Sequence, residues 1–199
     1  MRLLMLGVAA CVLTVSPVQP QAPDSGVPIF KITPLQSTIK FGVKASVPIE
    51  GTFKKWDATL TFASTDPSTG VLDIKIDAGS VDTGSGMKDD KLKSKDFFNA
   101  KDDPYITFHS SKIVQTGADS FEVDGKFTIR GVTKDEKLEL KVSGVGTGSG
   151  IISGTMAFDR KEYGMNSGIP FIKIADRVEV TVALKGERTS GPPMVLKKF

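Results

Sequence analysis

The chain has 199 residues, with 26 Lys and Arg against 23 Asp and Glu, one histidine and one cysteine. That length suits one domain with a sizeable core. The charges are mixed along the chain with no dense basic block of the kind that tracks phosphates, so nucleic acid is not an expected partner, and a single cysteine allows no intrachain disulfide.

Met1-Arg2 and the apolar run from Leu3 to Leu13 have the positive start and short greasy stretch of a secretory signal peptide, too short to span a bilayer comfortably. We read 1–22 as that signal and 23–28 as a linker, although Pro17, Pro20 and Pro23 crowd the cleavage site. Val8-Ala9-Ala10-Cys11 also has the form of a bacterial lipobox. A periplasmic or secreted soluble product and one anchored through a lipidated Cys11 both stay open.

From Ile29 to Gly186 apolar and polar residues alternate with period two. The alternation picks out Ile39-Phe41-Val43, Ala58-Leu60-Phe62, Leu72-Ile74-Ile76, Ile106-Phe108, Phe121-Val123-Phe127-Ile129, Leu138-Leu140-Val142, Ile152-Met156-Phe158 and Val178-Val180-Val182-Leu184. That makes about eight strands. One-sided alternation marks antiparallel sheet, whereas a parallel sheet covered on both faces reads as continuous apolar runs. The expected fold is therefore all-β, a sandwich or closed barrel.

Turn clusters at 64–70, 115–119 and 147–150 read as hairpin connections. Between Ser80 and Pro104 the alternation stops, and the segment predicts a short helix near 87–98, with Met87, Leu92, Phe97 and Phe98 turned inward over one end of the sheet. The stretch 187–199, with Gly191-Pro192-Pro193, has no pattern and is expected to be a flexible tail.

Residue types for catalysis are scarce. His109, the one histidine, falls in a strand where it reads as an outward polar residue, and there is no Gly-x-Ser-x-Gly elbow. Zinc sites need several Cys or His ligands. Asp89-Asp90 and Asp102-Asp103 lack the spacing of a calcium loop. Gly144 to Gly150 resembles a phosphate cradle only superficially, because both its flanks read as strands. We expect no enzyme, no metal and no cofactor.

The remaining question is what fills the interior. Phe41, Phe62, Phe108, Phe121, Phe127 and Phe158 share inward faces with small residues such as Ala58, Gly125 and Gly154. Small residues beside aromatics can leave a channel, or the two can interlock into a solid core. A packed core would suit a structural or adaptor domain that binds another envelope protein. A channel would be apolar and would hold a long hydrophobic molecule by burial, at about 25 cal/mol per Å². Its charged head group would sit at the mouth, near Arg160 and Lys161 or Lys91 and Lys93.

Several stretches resemble a known family. They are Lys88 to Phe98, Pro104-Tyr105-Ile106-Thr107-Phe108, Gly125 to Lys134, Phe158 to Met165 and Asp176-Arg177-Val178. In these the chain is similar, from about Phe30 to Gly186, to the YceI-like, polyisoprenoid-binding domain of bacterial exported proteins. The resemblance implies an extended, lipocalin-like antiparallel barrel over 29–186 whose channel carries an isoprenoid lipid, such as a polyprenyl or quinone-like molecule. The lining would then comprise Phe41, Ala58, Leu60, Phe62, Ile74, Phe97, Phe98, Phe108, Phe121, Phe127, Ile129, Leu140, Met156, Phe158 and Val180, with Arg160 and Lys91 at the head group. Transient membrane contact and a homodimer stay open. Two departures matter: the chain has Gln36-Ser37 where the family often shows His-Ser, and Lys88-Asp89-Asp90-Lys91-Leu92 where it often shows Arg-Asp-x-His-Leu. No role of those histidines carries over.

Overall fold

Alternation becomes extended backbone along nearly its whole length. In a computed structural model, which describes residues 26–168 and 171–199, the strands are β1 (Ile29–Ala45), β2 (Ile49–Phe53), β3 (Trp56–Phe62), β4 (Gly70–Asp77), β5 (Val81–Asp82), β6 (Tyr105–Gln115), β7 (Ser120–Ile129), β8 (Val132–Val142), β9 (Ser149–Asp159) and β10 (Ile174–Ser190). One helix, α1 (Gly86–Lys93), lies between β5 and β6. The signal segment and Cys11 lie outside the described residues. Each expected strand is present. The count rises to ten because β2 and the two-residue β5 were too short to show a period.

All pairings are antiparallel, in one sheet of order β3-β4-β6-β7-β8-β9-β10-β1-β2-β5. Near the two ends of that order lie successive pieces of chain. Strand β2 pairs with β1, β3 pairs with β4, and only Lys54-Lys55 separates β2 from β3. Lys54 N donates to Ser80 O at 3.1 Å and Asp77 N to Lys55 O at 2.9 Å, which fastens the corner. The sheet therefore curls until β3 lies against the first half of β1, where the Phe30 and Phe62 rings stand 5.6 Å apart. Curling of this kind leaves little open edge for other chains to pair with.

Register gathers the apolar alternates on the inner face, pairing Ala58 with Ile74, Ile74 with Phe108, Phe108 with Phe127, Phe121 with Leu140, and Phe41 with Val180. Halfway along the barrel Ile39, Leu72, Val123, Leu138 and Leu184 are each at most 1 % exposed. The middle layer is solid.

Glycines beside aromatics serve this packing. Gly51 pairs with Phe41 and Gly70 with Phe62, and a Cβ added to either would come within 2.8 Å of the partner's ring. Gly125 receives the Phe108 ring, which would stand 2.5 Å from such a Cβ. Gly154 lies between Leu140 and Val182 in the same way. Each glycine is a socket for a cross-strand neighbour.

At one end, helix α1 and the turns after it cover the sheet. Leu92, Phe97 and Phe98 are buried as expected, but Met87 is 85 % exposed, because it sits in the first turn of α1 on the side away from the barrel. At the other end the stretch from Glu187, read from the sequence as a tail, makes contacts with the barrel. β10 runs on to Ser190, and the last residues lie across the barrel mouth, with Val195 N bonded to Thr65 O at 2.8 Å.

Candidate functional site

Two apolar cavities flank the solid middle layer, one at each end. The cavity at the helix end measures about 60 Å³ and is walled by Phe41, Phe53, Phe127, Ile129, Phe158 and Val180, with Leu92, Phe97 and Phe98 above them. Its aromatics interlock. Phe41, Phe53 and Phe98 stand 5.6–5.8 Å apart, and Phe127, Phe158 and Tyr163 stand 5.1–5.6 Å apart, several of the pairs edge to face. Tyr163 is fully buried and donates to Glu136 Oε1 at 2.7 Å; burial, then that bond, pushes its phenol upward.

Arg160 reaches this cavity from below, where the sequence reading placed it at the mouth to meet a head group. It is 6 % exposed. Its Nε donates to Ala175 O at 3.1 Å, its Nη1 to Met165 O and, at 3.0 Å, to Ser167 O, and its Nη2 to Asp176 at 3.2 Å. The guanidinium thus ties Met165, Ser167, Ala175 and Asp176 together and has little donor capacity left for a ligand. Lys161, then Arg160, holds Asp176 below the usual carboxylate range. Lys91 is half-exposed and bound to Asp96 at 2.6 Å, a bond that lowers the Asp96 pKa. Both residues expected at the head group are therefore engaged within the fold.

The second cavity, about 150 Å³, opens at the glycine-rich end. Phe30, Leu60 and Phe62 form one wall, and Phe121, Leu140 and Val142 the opposite one. The β8–β9 loop, Gly144 to Gly150, forms its rim, and Pro193, Met194 and Leu196 of the last residues lie over it. The loop is a hairpin connection, as read from its flanks; Gly144, Gly146 and Gly148 have φ of +68°, +84° and +80°, conformations that L side chains adopt only with strain.

Gln115, 7 % exposed, clasps the final segment: Lys197 N donates to its Oε1 at 2.8 Å, and its Nε2 donates to Lys197 O at 3.2 Å. The one charged side chain among the lining residues is Arg188. Sequence reasoning passed over Gln115, Arg188, Met194 and Leu196, because three of them fall in a stretch without period and the fourth read as a turn residue.

Of the residues expected to line a channel, Phe41, Phe97, Phe98, Phe127, Ile129, Phe158 and Val180 stand at the smaller cavity, and Leu60, Phe62, Phe121 and Leu140 at the larger. Ala58, Ile74, Phe108 and Met156 are buried between the two. Gln36-Ser37 lies in a bulge of β1, where Ser37 Oγ accepts from Lys185 N at 2.8 Å and donates to Thr33 O at 2.7 Å. His109 faces outward and meets Asp73 at 2.5 Å. Among the described residues no group of three or more His, Cys, Asp or Glu gathers into a metal site.

Comparison with known proteins places these features in context. A YceI-like domain matches residues 30–186. Protein YceI of Salmonella arizonae is 38 % identical over 96 residues, 48 % of this chain and 50 % of that protein, so the match spans about half the length of the curated relative. The crystal structure of Burkholderia cenocepacia BcnA superposes with a TM-score of 0.71 at 29 % identity, covering 78 % of this chain and 99 % of that one. A polyisoprenoid binding domain from Saccharophagus degradans, implicated in plant cell wall breakdown, shares the fold with a TM-score of 0.66 at 16 % identity, over 81 % of this chain and 99 % of that one.

Proposed function

The chain belongs to the YceI-like family, and on that premise we propose that it binds and carries an isoprenoid-type lipid, polyprenyl or quinone-like, without catalysing a reaction. The observation that carries this reading is the larger cavity. It is mainly apolar, with Arg188 and two serines at its rim, it opens at the end of the barrel, and among the described residues its lining holds no acid, histidine or cysteine that would serve as a catalytic base. Its volume of about 150 Å³ matches an apolar cavity that takes a benzene ring, so at rest it admits about one isoprene unit. A longer chain must part the middle layer at Leu138 and Val123 to reach the smaller cavity.

Export to the bacterial envelope, as a soluble or a Cys11-anchored product, completes the proposal. Incorporation of labelled palmitate at Cys11 separates those two forms.

Trp56, the one tryptophan, packs against the core on β3 and pairs with Ile76 on the wall of the smaller cavity, so a quinone held in the barrel is expected to quench it by energy transfer across the interior. Titration with a prenylated quinone is expected to quench its fluorescence saturably. Leu140→Arg, with folding checked by circular dichroism, is expected to abolish the saturable phase, while exposed Lys112→Ala keeps it. Quenching that rises linearly, or that is equal in both variants, counts against lipid carriage. The solid middle layer favours a second reading, a packed adaptor domain for another envelope protein. That reading is selected if no lipid binds.

A further inference from the structure

We infer that the larger cavity takes an amphiphile with an anionic head group, phosphate or carboxylate, and that Arg188 is the residue that receives it. The inference rests on the lipid-binding reading and adds the chemistry of the head, which an apolar cavity leaves open.

Arg188 occupies an inward position of β10, two residues beyond Gly186, and its backbone N donates to Gly148 O at 2.6 Å. Its guanidinium lies over Gly148, where a Cβ would stand 3.5–3.6 Å from Nε and Nη2. Only Nη1 has a protein acceptor among the described residues, the carbonyl of Gly191. Nε and Nη2 have none among them, and no carboxylate of the described residues approaches within ion-pair distance. A half-buried guanidinium facing an apolar cavity, with two nitrogens available, is a fork suited to a planar carboxylate or a phosphate.

The contrast with Arg160 sharpens the assignment. Both arginines line a cavity, but Arg160 is held by three carbonyls and Asp176, whereas Arg188 has a single carbonyl. A chain inserted between Leu60 and Leu140 would leave its head at the rim, beside Arg188 and the glycine loop. A neutral alcohol would leave the same nitrogens to water.

Calorimetric titration with farnesol, farnesyl phosphate and palmitate tests this. The phosphate is expected to bind about tenfold or more tightly than the alcohol, the order of a charge-assisted hydrogen bond. Arg188→Gln is expected to erase that preference, bringing farnesyl phosphate down to the affinity of farnesol, and Arg188→Lys to keep part of it. Lys31→Gln, which removes one charge from the outer face of the neighbouring strand, is expected to change nothing. Palmitate separates a fatty carboxylate from an isoprenoid phosphate. Equal binding of alcohol and phosphate overturns the inference, as does a preference that survives Arg188→Gln. So does a loss of all three ligands that Arg188→Lys does not restore. If farnesol, farnesyl phosphate and a prenylated quinone all fail to bind the unaltered protein, the lipid-carriage reading itself has failed.

Discussion

The two ends of this barrel use the same materials for opposite purposes. At the helix end, two interlocked aromatic triplets reduce the interior to about 60 Å³, and an arginine beneath them is taken up by backbone carbonyls. At the glycine end, half-buried Phe30 and Phe121, a loop of glycines and the last residues of the chain leave about 150 Å³ and an arginine with donors to offer. One end closes on itself, and the other leaves the cavity in which we propose a lipid binds. The difference lies less in hydrophobicity than in how completely each apolar wall and each charge finds a partner within the chain.

The largest expected effect breaks the packed end. Phe127→Ala removes a ring held between Phe158 and Tyr163 and is expected to lose about 4 kcal/mol of stability in denaturant unfolding. Phe121→Ala, on the half-buried wall of the larger cavity, is expected to lose about 1–2 kcal/mol. Equal losses would erase the contrast between the ends.

Gly154→Ala places a methyl 2.6 Å from Val182 Cγ2 and 2.8 Å from Leu140 Cδ2. Overpacking of that kind is expected to lose about 2 kcal/mol, whereas a channel running through the middle layer would tolerate the methyl without loss.

Ending the chain at Ser190 removes Met194 and Leu196 from the larger cavity and two of the three side-chain hydrogen bonds of Gln115. Stability is expected to drop by about 1 kcal/mol. Stopped-flow uptake of the probe 1-N-phenylnaphthylamine is expected to quicken, and unchanged uptake would show that the last residues do not cover the mouth.

The smallest effect is in pH. Lys91 lowers Asp96, Lys161 and Arg160 lower Asp176, and the Gly84 amide, then Lys54, lowers Asp82, all from 3.8 and all at the helix end; Asp66, lowered by the Ser68 amide, is the counterpart at the glycine end. Their folded values lie below the unfolded one, so the contribution is complete above about pH 4 and disappears as pH falls through the lowered values. Amide exchange between pH 5 and pH 2.5 is expected to loosen the helix end, where three such carboxylates lie, more than the loop of Asp66, which has one. Equal loosening would contradict the asymmetry.

Much of this was legible in the sequence, and for a definite reason. Residues such as Phe121, Val123, Phe127 and Ile129 declare their strand because a sheet with one wet face imposes a period of two. The inward turn of Leu92, Phe97 and Phe98 was readable from three apolar residues set among charges. What tertiary contact decides was not readable. Arg160 follows a strand and looks like a surface cation until Met165, Ser167 and Ala175 present their carbonyls to it. Gly125 and Gly154 suggested a hollow because composition records the missing Cβ and not the neighbour that fills the space. Met194 and Leu196 had no period to betray them, since the final segment is held by a side-chain clasp and one backbone bond rather than by a ladder.

The central claim is that this barrel carries a lipid. The most direct test is purification of the full-length product from a bacterial envelope fraction, followed by organic extraction and mass spectrometry of whatever leaves with the protein. The account predicts a near-stoichiometric isoprenoid bearing a phosphate or carboxylate. A clean protein that also refuses added polyprenyl phosphate and prenylated quinone would contradict it.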